Sequence, residues 1–190
     1  MGLRHDIALH CSLVGVNLER ADLAGRDLRG ANLSCANMRG ADLSMANLSG
    51  ATLVRADLSR ANLHGVDLSD ADISAADFTG AYLKAALFLR TKAWACLFRR
   101  VTAKNCLFIN ADLSRSDFAH AELLGARFDG AITVGVRNLD TAQYAWWRNP
   151  MGGPYSMTPR PGWERMDRSA LGGLSFQENS ARQNTWMEGE

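Results

Sequence analysis

This 190-residue chain has only four prolines, no long apolar run and no apolar stretch in its first ten residues. No proline precedes Pro150. No apolar run is long enough to cross a membrane, so hydropathy predicts no transmembrane segment. The first ten residues carry Arg4, His5 and Asp6 and lack the apolar stretch of a secretory signal peptide. We therefore expect a cytoplasmic, non-secreted protein, or one incorporated into a larger assembly such as a virion.

A five-residue repeat runs from Cys11 to Asp129 without a change of phase. Its third position is Leu, Ile, Met, Phe or Ala in all 24 units, and its first position is small except at Arg26. The unit 41–45, Ala-Asp-Leu-Ser-Met, shows the consensus A-(D/N)-L-x-x. A period of five gives no continuous face on a helix or on a straight strand. It predicts a short extended stretch followed by a tight turn at the fifth position, where ten of the 17 glycines lie.

This pattern resembles the pentapeptide-repeat family. The resemblance implies an all-β fold: a right-handed quadrilateral parallel β-helix of about six coils over residues 1–136, with four units per coil. The first and third positions would point inward. At twenty residues per coil, Phe78, Phe98 and Phe118 should stack on one wall, opposite Phe88, Phe108 and Phe128.

The side chains capable of chemistry are few and scattered. The four histidines lie in different columns or many coils apart, so none can share a metal or form a dyad. Cys96 and Cys106 occupy opposite walls, which argues against a disulfide. The Asp or Asn at the second position recurs in 14 of 24 units and is best explained by hydrogen bonding to local backbone. We predict no catalytic, cofactor or metal site, and no enzyme.

One segment departs from the repeat. No acidic residue lies between Asp77 and Asp112, whereas six cations do. Several outward positions there are apolar, and we predict that they bind a partner together with two of the cations. The predicted residues are Tyr82, Leu87, Leu89, Trp94, Leu97, Leu107, Ile109, Arg99 and Arg100. Leu87, Leu89, Leu107 and Ile109 should form one exposed patch, covered either by the C-terminal tail or by an external partner.

A weaker basic edge is predicted at one corner, where Arg20, Arg60, Arg100 and His120 share a column. Arg39 and Arg99 flank this column. It could meet phosphate or an acidic protein. Charges two coils apart, with Glu19 among them, also fit an ordinary solvated edge.

The composition changes after Val136. Residues 137–149 are predicted to form a short helix, capped by Asp140, that covers the open end of the solenoid. Residues 150–190 read as an irregular arm. Its aromatic anchors, Trp163, Phe176 and Trp186, are predicted to lie along the rod or along a partner.

These features favour a non-enzymatic structural rod that docks on a protein partner or self-associates, as a component of a larger assembly such as a virion. No membrane, nucleic-acid or small-molecule ligand is expected. The alternative follows from the resemblance: some pentapeptide-repeat proteins mimic DNA and bind DNA gyrase or topoisomerase IV. Residues 1–136 carry 15 Lys and Arg against 14 Asp and Glu, whereas a DNA mimic needs a strongly negative surface. The unbroken phase also leaves no room for the inserted loops of gyrase-protecting relatives.

Overall fold

The computed structural model describes residues 12–139, Ala142, and the backbone of 147–148 and 154–155. The chain divides into the units Met1–Met157 and Thr158–Glu190, and every described residue lies in the first unit. From Ser12 to Arg137, parallel bridges join each second-position residue to the one twenty residues later. Because the unit has five residues, each coil has four walls. The rod is thus a four-walled parallel β-helix.

Backbone hydrogen bonds explain why the unit has five residues. In the unit 41–45, the Asp42 amide donates to the previous coil, and the amides of Leu43 and Met45 donate to the next coil. The Ala41 amide closes a turn on the Met38 carbonyl at 3.0 Å. Four of the five amides are therefore satisfied by backbone acceptors, and only the fourth, that of Ser44, is left over.

The second-position Asp or Asn supplies the missing acceptor. The Ser44 amide donates to Asp42 Oδ1 at 2.9 Å, forming an Asx-type turn. All 14 predicted Asp and Asn residues between Asn17 and Asp117 accept this bond from the amide two residues on. The interpretation of these carboxylates as structural acceptors is confirmed.

The fifth position turns every corner in the left-handed backbone region. From Gly15 to Gly135 each fifth residue has a positive φ, including the non-glycine residues Arg60 (59°) and Arg100 (54°). Glycine adopts this conformation without strain, whereas other residues pay about 1–2 kcal/mol. The cost is accepted because the corner amide bonds to the next coil, as Arg60 does to Thr79 at 3.0 Å.

The core contains the two predicted phenylalanine stacks. Phe78, Phe98 and Phe118 stack at centroid distances of 5.1 and 4.9 Å on one wall. Phe88, Phe108 and Phe128 stack at 4.7 and 5.0 Å on the opposite wall. Rings from the two stacks meet edge to face at 5.8–6.2 Å. This is the preferred geometry for aromatic pairs.

The ladder continues past Asp129, where the regular sequence phase ends. Ile132 and Arg137 still pair with Asp112 and Asp117. In these last two units the third position is Thr133 and Asn138 rather than an apolar residue, and both side chains are exposed. The ladder therefore persists for two units whose third position is no longer apolar, while Ala131 and Val136 at the first position still pack against the core.

The predicted helix over 137–149 is not shown, and its C-terminal end is wrong. Trp147–Arg148 form strand β1, which pairs antiparallel with strand β2, Pro154–Tyr155. The intervening Asn-Pro-Met-Gly-Gly is a sequence rich in turn residues, and aromatic residues favour strands, so a hairpin forms in place of a helix end. Asp140, Gln143 and Tyr144 lie outside the described residues, as do Trp163, Phe176 and Trp186.

A larger side chain at the first position tests whether this position points into the core. Ala61 is completely buried, so Ala61→Leu should cost about 1–3 kcal/mol of unfolding free energy. Ala24→Leu, the same change at an exposed fourth position, is the matched control and should change stability little. Chemical denaturation measures both, and equal stabilities for the two variants would contradict the assignment.

Candidate functional site

Six consecutive units lack Asp or Asn at the second position. They are the units of Tyr82, Leu87, Lys92, Leu97, Thr102 and Leu107. We name residues 81–110 the Asx-free band. Among the described residues no acceptor is bonded to the fourth-position amides of this band, those of Lys84, Leu89, Trp94, Arg99, Lys104 and Ile109. The band thus presents six unpaired backbone donors in succession, whereas an Asp or Asn covers this donor in 14 of the other 18 units of the repeat.

The core beneath the band also departs from the repeat. Within the described part of the rod, the amides of Thr91 and Val101 lack the turn hydrogen bond, and the Cys106 bond is stretched to 3.4 Å. At Cys96 the Ser116 hydroxyl replaces that bond. It accepts from the Cys96 amide at 3.0 Å and donates to the Ala93 carbonyl at 2.6 Å. Several turns of the band thus lack the usual bond, and a buried serine from the next coil completes one of them.

Three of the six cations in the band pair with acids on neighbouring coils. Arg90 Nε and Nη2 donate to Asp70 at 2.7 and 2.6 Å, and this pairing lowers the pKa of Asp70. Lys104 lies 3.0 Å from Glu122, and Arg99 lies 2.7 Å from Asp117. Across the residues that the structure describes, Lys84, Lys92 and Arg100 have no ion pair. Half of the band's positive charge is therefore available to a partner.

Asp117 is the one carboxylate buried beside the band, with its side chain 1% exposed. Burial acts to raise its pKa. Hydrogen bonds from Asn138 at 2.8 Å, Arg99 at 2.7 Å and the Ala119 amide at 3.1 Å outweigh burial, so the pKa lies below its usual value. Asp117 thereby anchors the guanidinium of Arg99 at the edge of a groove. Thr79, Arg100 and His120 also line this groove.

The four aliphatic residues predicted to form one patch do share a wall, but they are only partly exposed. Leu87 and Leu107 pair across adjacent coils, with Leu89 and Ile109 in the neighbouring column of the same wall. These four are half-buried rather than fully exposed, because each lies against the neighbouring coils. Leu97 is half-buried on another wall. The partner-binding role of all five stays a prediction.

The two exposed aromatic residues of the band lie on separate walls. Tyr82 is 41% exposed and its ring lies 6.1 Å from that of His64. Trp94 is 45% exposed, and the Arg115 guanidinium lies 5.5 Å from its ring centre, in cation–π range. Exposed Tyr and Trp are the residues that most often anchor protein interfaces. Each wall of the band thus offers a different contact.

The arginines of the predicted basic edge lie in a single column, as expected. Arg20, Arg60 and Arg100 alternate there with Gly40 and Gly80. Cβ atoms at these glycines would lie 3.6 Å from the Arg20 stem and 3.8 Å from the Arg60 stem. The side chains of Arg20 and Arg60 therefore extend over the glycine of the next coil, an arrangement that the spacing of charges alone did not predict.

The buried thiols are poorly suited to nucleophilic chemistry. Burial raises the pKa of Cys106 to about 12 and raises that of Cys96 further. Their sulfurs lie 2.7 Å from the Leu83 carbonyl and 2.9 Å from the Ile73 carbonyl. Thiolate, not thiol, is the reactive form, so both act as small core residues.

Within the described part of the chain, no group of His, Cys, Asp and Glu is arranged to hold a metal ion. The described residues also include no helix long and apolar enough to span a membrane.

Comparison with known proteins identifies the family. The model of pentapeptide repeats matches residues 11–50, 41–80 and 96–132, which together exceed half of the chain. The chain belongs to the pentapeptide-repeat family. Membership implies a right-handed β-helix and is consistent with a structural or interaction protein. The match omits residues 81–95, where the second position is Tyr82, Leu87 and Lys92. The family pattern therefore lapses where the Asx-free band begins.

Solved structures of similar fold come from several pentapeptide-repeat proteins. HetL, involved in heterocyst differentiation regulation in the cyanobacterium Nostoc sp. strain PCC 7120, is 29% identical over 78% of this chain and 68% of its own, with a TM-score of 0.44. The Nostoc protein alr5209 is 33% identical over 46% of this chain and 70% of its own, with a TM-score of 0.41. QnrB1, a plasmid-mediated fluoroquinolone resistance protein, is 22% identical over 70% and 76%, with a TM-score of 0.48. A search of curated proteins finds no match.

The Asp117 network should make stability depend on pH. Because the folded-state pKa of Asp117 is lowered, its contribution is present above the unfolded pKa near ~3.9 and is lost as pH falls through the folded value. Asp117→Asn should cost about 1.5–3 kcal/mol at pH 7 and much less at pH 2–3. Denaturant unfolding at both pH values measures this difference, and a pH-independent cost would contradict the account. Asp112→Asn, which keeps the same backbone acceptor, is the matched control.

Proposed function

We propose that this protein is a non-enzymatic interaction rod that docks a protein partner, or a second copy of itself, through the Asx-free band. The C-terminal arm of residues 150–190 takes part in the same assembly. The observation that carries the proposal is the replacement of the second-position Asx residue in six consecutive units by residues that suit contact better than folding.

An Asx residue and a contact residue at the second position contribute differently to the protein. An Asp or Asn at the second position satisfies the fourth-position amide, and a typical hydrogen bond contributes about 0.5–1.5 kcal/mol. In the Asx-free band this contribution is missing in every unit, and the outward positions carry Tyr82, Trp94 and half-buried aliphatic residues. Local departures from a pattern that most of the repeat follows tend to occur at functional sites.

The charge pattern supports the same region. Between Asp77 and Asp112 the chain has six cations and no acid, whereas the first half of the rod mixes both signs. Lys84, Lys92 and Arg100 have no ion pair among the described residues. Unpaired surface charges of one sign steer a complementary partner and set its orientation.

Restoring the repeat in the band should separate folding from docking. Leu87→Asn with Leu107→Asn would create two new Asx acceptors, so stability should stay within about 1 kcal/mol of the original. The variant should lose the partner, as measured by quantitative affinity capture and by sedimentation for self-association. Asp67→Leu, on the same wall outside the band, is the reverse control: it removes the Ser69 acceptor bond, so it should lower stability yet retain the partner. Retention of the partner by the double Asn variant would contradict the proposal.

A DNA mimic would need a strongly negative surface. The described rod carries cations on every wall and has no excess of negative charge. We therefore expect micromolar protein neither to inhibit gyrase supercoiling nor to relieve quinolone inhibition. An effect in either assay that is abolished by Asp57→Lys with Asp77→Lys would favour the mimicry alternative.

A further inference from the structure

The wall that carries Tyr82 presents a regular three-by-three array of side chains. Its middle column is Asn62, Tyr82 and Thr102, joined by parallel bridges on adjacent coils. The corner column beside it is Arg60, Gly80 and Arg100, and the fourth-position column on the other side is His64, Lys84 and Lys104. None of these nine residues is acidic. Neighbours within a column are about 4.8 Å apart, the usual spacing of paired strands.

Tyr82 lies at the centre of this array, with four cations at or beside its corners. Arg60, Lys84 and Arg100 have no ion pair among the described residues, and Lys104 shares its charge with Glu122 at 3.0 Å. Gly80, next to Tyr82, has no side chain to cover the ring, and the Arg60 stem extends toward this gap. The array is therefore amphipathic: an exposed aromatic ring lies at its centre, and cationic side chains surround it.

The backbone of the array adds two hydrogen-bond donors, which favour a negatively charged ligand as the cations do. Because Tyr82 and Thr102 replace Asp or Asn, the amides of Lys84 and Lys104 have no acceptor within the described residues. One coil below, the His64 amide is bonded to Asn62 Oδ1 at 3.3 Å. The His64 ring is held by its Nδ1, which lies 3.0 Å from the Lys84 carbonyl oxygen, beside the Tyr82 ring. The Lys84 and Lys104 amides thus place two hydrogen-bond donors beside the cations of the array.

We propose that the array around Tyr82, the Tyr82 socket, binds an acidic protein segment in which Asp or Glu residues flank an aromatic or large apolar side chain. The apolar side chain contacts the exposed Tyr82 ring. The carboxylates reach Arg60, Lys84 and Arg100 and accept from the two uncapped amides, since hydrogen bonds with ionised acceptors are the stronger ones. The inference rests on the proposed function and names its partner by chemistry.

A protein segment fits better than a nucleic acid. Nucleic acids are bound by extended basic stripes, often with several stacking rings. Here the cations occupy a short length of one wall and its corner, and Asp42 and Glu122 interrupt the same wall on either side. A continuous polyphosphate would meet these carboxylates, whereas a short acidic segment would not.

Defined polymers test the socket directly. A random copolymer of Glu and Tyr, poly-Glu and a fluorescent oligo-dT are titrated with the full chain, using fluorescence anisotropy at 0.05 and 0.5 M NaCl. The Glu–Tyr copolymer should bind tightest, and its affinity should fall severalfold at high salt because surface charges are screened. Tyr82→Asn restores an Asx acceptor for Lys84, so it should fold normally yet bind the copolymer about tenfold more weakly.

Charge reversal provides the matched control. Lys84→Glu with Arg100→Glu should abolish copolymer binding. Arg39→Glu with Arg55→Glu makes the same change of net charge outside the Asx-free band and outside the array, and should bind within twofold of the original. Equal losses in the two double variants would overturn the proposal in favour of non-specific attraction. Tighter binding of oligo-dT than of the copolymer would overturn it in favour of a nucleic acid.

Amide chemical shifts locate the contact. On adding copolymer, the Lys84 and Lys104 amides should move downfield, whereas the Ser44 amide on the same wall, already bonded to Asp42, should stay in place. Unchanged Lys84 and Lys104 amides would overturn the socket geometry. Failure of this inference is distinguishable from failure of the proposed function. If the socket variants keep the captured partner while Leu87→Asn with Leu107→Asn loses it, the band docks a protein through the Leu87 wall and the socket assignment is wrong.

Discussion

The structure depends on one constraint: every backbone amide of a five-residue unit needs an acceptor, and the coil geometry supplies only four. Turn and inter-coil bonds satisfy the first, second, third and fifth amides, as in residues 41–45. The fourth points outward and must be met by the side chain of the second position or by something outside the rod. This requirement explains why Asp and Asn recur along the rod. It also makes each missing Asx residue informative.

The Asx-free band is where surface and core depart from the repeat together. Phenylalanines fill the core and the turns at Thr91 and Val101 lack their hydrogen bond, while the surface carries Tyr82, Leu87 and other residues in place of Asx residues. Edge-to-face rings stabilise the band from within, so the loss of outer hydrogen bonds can be tolerated. The inner side of the band thus contributes stability, and the outer side contributes the residues for contact.

Much of this could be predicted from the sequence because the repeat is strictly local. The phase of Leu13 to Phe128 fixed the inward positions, and a twenty-residue coil placed the phenylalanines in two stacks. What failed depended on competing local choices or on neighbouring coils. The helix predicted over 137–149 is contradicted at Trp147–Arg148, which pair as a strand with Pro154–Tyr155. The exposure of Leu87 was overestimated because adjacent coils cover part of it. The Ser116 hydroxyl replaces a turn bond that only the three-dimensional packing reveals.

Hydrogen exchange of the individual amides tests the central claim most directly. The account predicts slow exchange at the Asx-bonded fourth positions of Ser44, Ser69 and Thr79, and fast exchange at Lys84, Leu89 and Ile109. Third-position amides of the band, such as those of Leu83 and Phe88, should remain protected, since they bond to the next coil. Equal protection of the two sets of fourth-position amides would contradict the account, because it would mean that the Asx side chains are not the acceptors that the fourth position requires.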